Sequence, residues 1–385
     1  MNIVVNAIPL LSYRTGVGQY LYNLCSGLNE LDNNNHYTYF YGYFSEQLHD
    51  FSSSNKQELY KVKRKIRNIP VLGSLLSGMK GTLARINTTL NRNNSFDLYF
   101  EPNFIPLSEI KAKKTITTVH DLSFYLHPEW FPGKENKKFR HRFLQALPDI
   151  DHFITVSHYI KREMVEVLGL DESMISVVYN GYNDSIFKVY EPYSYKPTLK
   201  KYGIEDAYIL FVGTLEPRKN IISLLRAYRE LIPALRNEFK LVVAGGSGWL
   251  NSDIYDFVKQ NHLENLVIFT GYVSDLEVAH LMNGATTFVY PSFYEGFGLP
   301  PLEAMACGAP VMVSNTTSME ELYKDSAYLI DPNNCETIVK GLEQILNDEI
   351  TQQSFKYKGL MHSRHFSWKT AAKNTLEVFD LVASR

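Results

Sequence analysis

Cysteine is scarce in this chain: Cys25, Cys307 and Cys335 are the three among 385 residues. They have neither metal-ligand spacing nor disulfide density, which argues against a zinc site or a cross-linked secreted scaffold and fits a reducing, cytoplasmic compartment. Long apolar runs are missing too. No stretch reaches the 18 apolar residues of a membrane-spanning helix, and the opening MNIVVNAIPLL carries no basic segment and reads as a strand, so no secretion signal is expected. Net charge is nearly absent: a formal charge of −2 gives no reason to expect a nucleic-acid partner. Apolar residues are plentiful, at 45% of the sequence. At this length they can fill two ordinary cores.

The order of the elements is repetitive. In the first half, strands are expected at Asn2–Asn6, His36–Tyr43, Phe96–Phe100, Thr115–Val119, His152–Ser157 and Ile175–Val178. In the second they are expected at Tyr208–Val212, Lys240–Ala244, Val267–Thr270, Thr287–Tyr290 and Pro310–Val313. Helical patterns alternate with them, which is the rhythm of a doubly wound parallel sheet written twice. Asn180-Gly181 and the aperiodic YNGYNDSIFKVYEPYSYKP place a linker between the halves, near residue 190. Two domains are expected, 1–190 and 191–365. The last segment, 366–385, reads as an amphipathic helix.

The most informative stretch is TTFVYPSFYEGFGLPPLEAMACGA, Thr286 to Ala309. A buried strand leads into a loop in which Gly296 and Gly298 allow close backbone approach, and Pro301 suits the first position of a helix running to about Cys307. Strand, glycine loop and helix start together favour an anion, because first-turn N–H groups lack partners and the dipole attracts negative charge. Glu295 and Glu303 flank that cradle. A carboxylate does not bind a phosphate, but it accepts two hydrogen bonds from a vicinal diol. A diphosphate between two polyhydroxylated rings satisfies the whole set, and that ligand is a nucleotide-sugar. The run GTLEPRKN adds Arg218 and Lys219 at a helix start, where cations are unfavourable against the dipole unless an anion compensates. A diphosphate would compensate them.

Three other features carry chemistry. Gly16 and Gly18, in SYRTGVGQY before the first helix, either present N–H groups to a phosphate or simply build the turn. His120 falls at the carboxyl end of a parallel strand, the edge where such sheets bind ligands, although a lone histidine there is often structural. From Lys61 to Arg92 eight cations and no acidic residue interleave with Ile66, Ile69, Val71, Leu72, Leu75, Leu76 and Met79. That composition suits either a solvated face over a core-facing stripe or a segment drawn to anionic lipid headgroups.

The segment EGFGLPPLEAMACG, with its two glutamates eight positions apart, resembles the signature of the retaining nucleotide-sugar glycosyltransferases of group 1. The resemblance implies the GT-B fold, two Rossmann-like domains facing a central cleft, with the C-terminal helix crossing back onto the first domain. It implies catalytic roles for His120, Glu295, Arg218 and Lys219, and donor contacts from Gly16, Gly18, Gly213, Thr214, Tyr272, Val273, Gly296, Phe297, Gly298, Leu299 and Glu303. Many members carry an arginine directly after the strand-end glycine, where this chain has Thr214. The combination GVGQY, HDLSF, HPEWF and GTLEPRKN looks most like bacterial O-antigen mannosyltransferases. The expectation is therefore transfer of mannose from GDP-mannose to an oligosaccharide or polyprenyl-diphosphate-linked glycan, at the inner face of the plasma membrane if 61–92 docks there. No histidine cluster suggests a metal, so no cofactor beyond the donor is expected. UDP- and dTDP-sugar donors, or an epimerase or donor-binding protein on the same scaffold, are the alternatives. A dinucleotide oxidoreductase does not fit, since G-x-G-x-x-G does not follow the first strand.

Overall fold

The computed structural model describes residues 1–11, 16–50 and 95–385. The basic run 61–92 lies outside them. The described residues form two sheets. The first contains β1 (Asn2–Asn6), β2 (His36–Phe40), β3 (Phe44–Ser45), β4 (Phe96–Glu101), β5 (Ala112–Val119), β6 (His152–Thr155) and β7 (Ile175–Val177), in the order β3-β2-β1-β4-β5-β6-β7. All pairs are parallel except the short β2–β3 edge. The expected strand His36–Tyr43 is thus shorter: it stops at Phe40 and turns at Gly42, whose φ of 87° is left-handed, before β3 folds back on it.

The second sheet contains β8 (Ala207–Val212), β9 (Phe239–Ala244), β10 (Val267–Gly271), β11 (Thr287–Tyr290), β12 (Val311–Ser314) and β13 (Tyr328–Ile330), all parallel, in the order β10-β9-β8-β11-β12-β13. Strand β13 is three residues long and went unread in the sequence. In each sheet the strand order reverses once, between β1 and β4 and between β8 and β11. A parallel sheet opens a crevice beyond the carboxyl ends of its strands at such a reversal, and that is where a ligand of this architecture binds.

Parallel strands buried on both faces need near-continuous apolar runs. Ile209, Leu210 and Phe211 in β8, Leu241, Val242 and Val243 in β9, and Val311, Met312 and Val313 in β12 supply them, each with no exposed surface. The segment expected to be an aperiodic linker holds a helix, Pro192–Lys201, which packs on the helix Asp275–Gly284 beside the second sheet. Its tyrosines and internal Pro197 blur any 3.6-residue period. The last helix, Trp368–Ala383, packs along Gly16–Leu31 and puts Ala371, Ala372, Val378, Phe379 and Val382 into the core under the first sheet. Gly27 makes the close crossing possible, since a methyl there would meet the Ala372 methyl at 3.0 Å. Among the described residues no helix is long and apolar enough to cross a membrane.

Candidate active site

The loops after β8 and β11, the two strands at the reversal of the second sheet, meet in a cluster of charges. After β8 the chain passes Gly213, half-buried, and Thr214, exposed, and enters a short 3-10 turn, Pro217–Lys219. Asn220 follows with a left-handed φ of 56°, and only then does the α-helix Ile221–Glu230 begin. Arg218 and Lys219 therefore sit on the turn ahead of the α-helix and not within its first turn. Their compensating anions belong to the protein. Arg218 donates to Glu295 Oε2 at 2.8 Å, to Glu216 Oε1 at 2.9 Å and to the Tyr294 carbonyl at 3.0 Å. Lys219 donates to Glu295 Oε1 at 2.6 Å and to the Tyr290 hydroxyl.

Glu295 is buried, and burial would raise its carboxyl; Arg218 and Lys219 override that and hold it at about 2. Burial, reinforced by the adjacent Arg218, lowers Lys219. Two cations and two carboxylates so packed are neutral as a set, and each is costly to leave alone in this environment. Glu295, expected to hold sugar hydroxyls, thus has a cation on each of its oxygens.

The glycine loop also differs from expectation. A methyl on Gly296 would lie 1.8 Å from the His120 carbonyl oxygen, and the Gly296 carbonyl accepts from the Ser157 hydroxyl at 2.8 Å. Its missing side chain admits the other domain. Gly298 has φ 79°, and a methyl there would strike Met319 at 2.4 Å. The helix runs Leu299–Ala306, two residues earlier than expected, because Gly298 turns the chain and prolines are tolerated where no intrahelical N–H is needed. Two consequences correct the sequence reading. Pro300 and Pro301 remove two donors from the amide cradle, and Glu303 falls in the second turn. Glu303 is half-buried, and burial together with Asp275 raises its carboxyl to about 8. Phe297 is buried and Leu299 half-buried beside it.

Across the cleft, Gly16 and Gly18 begin the helix Gly16–Leu31, Gly16 exposed and Gly18 buried. Gln19 from that first turn donates to Asp275 Oδ2 at 2.8 Å, which joins the glycine turn to the Glu303 neighbourhood. Asp275 opens a helix with a capping box, Ser274 with Glu277. The residues before it split, Val273 into the core and Tyr272 onto the surface at 68% exposure. His120 follows β5 directly, and its ring lies edge-on to Tyr20 and Phe104, with centroids at 4.7 and 5.7 Å. Burial lowers its pKa, against the Pro102 carbonyl and Asp121.

Sequence reasoning missed Glu216, Tyr290 and Tyr294. Glu216 had a visible signal, an acid inside the basic turn GTLEPRKN. The tyrosines had none, since Tyr290 reads as strand and Tyr294 as loop; the Tyr294 hydroxyl bonds Glu163 and accepts from the Leu122 N–H of the first domain at 3.2 Å.

Comparison with known proteins gives the cluster its context. The family model Glycosyl transferases group 1 matches residues 197–361, and Glycosyltransferase Family 4 matches 14–185. "O-antigen chain mannosyltransferase B" of Escherichia coli is 33% identical over 74% of this chain and 74% of its own length. The chain belongs to the group 1 glycosyltransferases. The "Serotype-specific mannosyltransferase WbdA" of Escherichia coli is 30% identical over 69% of this chain, which spans about a third of that longer protein. Among solved structures, Anabaena Alr3699/HepE in complex with UDP-glucose superposes with a TM-score of 0.72, at 17% identity over 99% of both chains. That likeness is one of fold, and it makes the two sheets of this group 1 glycosyltransferase the two halves of a GT-B architecture. The buried charges stand at the reversal of one half, His120 at the strand ends of the other.

Proposed function

We propose that this glycosyltransferase moves mannose from GDP-mannose, with retention of anomeric configuration and without a metal, to a lipid-linked oligosaccharide of a bacterial surface polysaccharide of the O-antigen type. The observation that carries the reading is the Arg218–Lys219–Glu295–Glu216 cluster at the β8/β11 reversal. Breaking the bond between sugar and diphosphate builds negative charge on the leaving oxygens, and preorganised cations in a dry site stabilise that charge. Arg218 and Lys219 are such cations, oriented before any donor arrives. Glu295 fixes their positions. When the diphosphate binds, it shares them with Glu295, whose carboxylate then faces the sugar hydroxyls. Glu303 accepts the ribose diol, and His120 stands on the far side of the transferred ring.

Retention follows in this reading from acceptor attack on the face the diphosphate leaves, its own oxygen taking the acceptor proton. The tight hold of Glu295 by two cations disfavours it as a nucleophile, because a carboxylate so stabilised is a weak one. The donor and acceptor are proposed from the mannosyltransferase relatives, and the basic run 61–92 is the proposed membrane contact, for which flotation with anionic vesicles is the assay.

The deciding experiment is thermal shift against GDP-mannose, UDP-glucose, UDP-N-acetylglucosamine and dTDP-rhamnose, followed by NMR of the anomeric product. A donor at a hundred times its Kd adds about 2.7 kcal/mol of stability. GDP-mannose should give the largest shift and an α-linked product. A larger shift with a UDP-sugar, or an inverted product, would replace this proposal.

A further inference from the structure

The reversal of the first sheet, between β1 and β4, holds a buried carboxylate that the proposed reaction does not use. Glu101 is the last residue of β4 and 1% exposed. Its Oε2 accepts from Asn6 Nδ2 at 2.8 Å and from the Tyr99 hydroxyl at 2.6 Å, and its Oε1 accepts from the Asn103 N–H at 3.0 Å. Among the described residues three donors and no cation converge on it. Burial raises it to about 8, with those three bonds opposing.

The turn it grips leads to His120. Pro102, between Glu101 and Asn103, offers its carbonyl to His120 Nε2 at 2.8 Å. A carbonyl only accepts, so Nε2 carries the proton and Nδ1 is the ring's acceptor. Two residues beyond Pro102, Phe104 has a left-handed φ of 63°, a conformation that a bulky residue keeps only where its surroundings hold it. Its N–H donates to the Thr118 carbonyl at 3.0 Å and its ring packs on His120. Asn6, the first donor to Glu101, also accepts from the Ile8 N–H at 3.1 Å, so the loops after β1 and β4 share this one anchor.

We infer that Glu101 is the positioning residue for His120: through Asn103 it fixes the Pro102 turn, and the Pro102 carbonyl fixes the imidazole as the Nε2–H tautomer with Nδ1 as acceptor. This rests on the proposed transfer reaction only where turnover is the readout. Glu101→Gln is the discriminating change, because the amide oxygen can keep Asn6 and Tyr99 while the amide N–H₂ must then face the Asn103 N–H, donor against donor.

Histidine-selective ¹⁵N NMR of the substrate-free protein, recorded at about pH 9 so that Glu101 is ionised and accepts all three donors, reads the tautomer directly. Wild type should show His120 protonated at Nε2, and Glu101→Gln should mix the tautomers. With whichever nucleotide-sugar the wild type turns over, kcat should fall on the order of 10²-fold, the scale of a small misplacement, while the affinity for the nucleoside diphosphate alone stays as in wild type. His120→Ala added to Glu101→Gln should lose no more than His120→Ala by itself. Tyr99→Phe, which removes a single donor, should shift the same signals less, and it serves if Glu101→Gln does not fold. An unchanged His120 tautomer in Glu101→Gln, or losses that multiply in the double variant, would overturn the inference. A protein with the predicted tautomer but no transfer from any donor would instead overturn the proposed reaction.

Discussion

The two strand reversals of this molecule handle a buried carboxylate in opposite ways. At β8/β11, Glu295 is paired with Arg218 and Lys219 and held at about 2; at β1/β4, Glu101 receives uncharged donors and rises to about 8. Burial pushes both upward, and what differs is whether cations are present to reverse it. The lesson is a division of labour. In the proposed reaction the cations stand in the half where the leaving diphosphate develops its charge, and the opposite half holds His120 by the Pro102 carbonyl.

Removing one cation tests that division most severely. Lys219→Ala should lower kcat by about 10²–10³-fold, the usual loss of one preorganised stabilising group. It also strips Glu295 of a partner, a change that costs about 3–5 kcal/mol when a buried pair is broken; chemical denaturation at pH 7 measures it. The pH dependence has a definite sign. Because the folded pKa of Glu295 is depressed from 4.5 to about 2, its contribution to stability is complete above pH 4.5 and is lost as pH falls towards 2. Glu295→Gln should flatten that acid limb. Equal acid sensitivity in Glu295→Gln and wild type would remove the electrostatic half of the comparison.

Joining the halves is the next test. Gly296→Ala inserts a methyl 1.8 Å from the His120 carbonyl oxygen, which the backbone can relieve only by moving the two strand-end loops apart. Both clusters stay chemically intact while their alignment is lost. Turnover should fall by about 10²-fold with nucleoside diphosphate affinity, measured by calorimetry, close to wild type. A parallel loss of nucleotide affinity would show that the loop itself holds the phosphate.

Glu303 sharpens the contrast within one half, since it stands on the helix that follows the Glu295 loop yet is raised to about 8 by burial and Asp275. A diol donates to the carboxylate form, so binding must expel a proton below pH 8. Donor affinity should rise with pH between 6 and 8, approaching tenfold per unit at the acid end. Calorimetry in buffers of different ionisation enthalpy should register about one proton released per donor bound at pH 7. Glu303→Gln should abolish both effects.

Much of the second half was legible because its strands are uninterrupted apolar runs bounded by glycine and proline: β11 falls on the expected residues, and β8, β9, β10 and β12 within one or two. That Arg218 and Lys219 need a compensating anion was legible from their cost before a helix. Which anion was not, because the pairing with Glu295 spans 76 residues and depends on the β8–β11 neighbour relation that no local pattern reports. Gly296 was readable as a place needing no side chain, though its close neighbour is the other domain. Glu101 was invisible for a related reason: in DLYFEPNF it reads as the polar end of a strand, and only the meeting of β1 with β4 surrounds it with donors.

The smallest expected effect comes from a contact between the halves that touches neither reversal. Glu321, on the helix Thr317–Tyr323, accepts from the N–H groups of His158 and Tyr159 at 2.9 and 2.6 Å and from the Tyr179 hydroxyl at 3.0 Å. A carboxylate is thus set at the N-terminus of the first domain's helix His158–Leu168, where the dipole favours it. Glu321→Gln removes the charge; its oxygen can keep the Tyr159 N–H while its N–H₂ faces His158, whose exposed N–H water can take, so stability should drop by only about 0.3–1 kcal/mol, an effect that moderate salt reduces. If function resides in the two strand-end clusters, kcat and nucleotide affinity should not change with it. A large fall in turnover from so mild a substitution would mean that the angle between the halves, and not the chemistry lodged at each reversal, governs the rate.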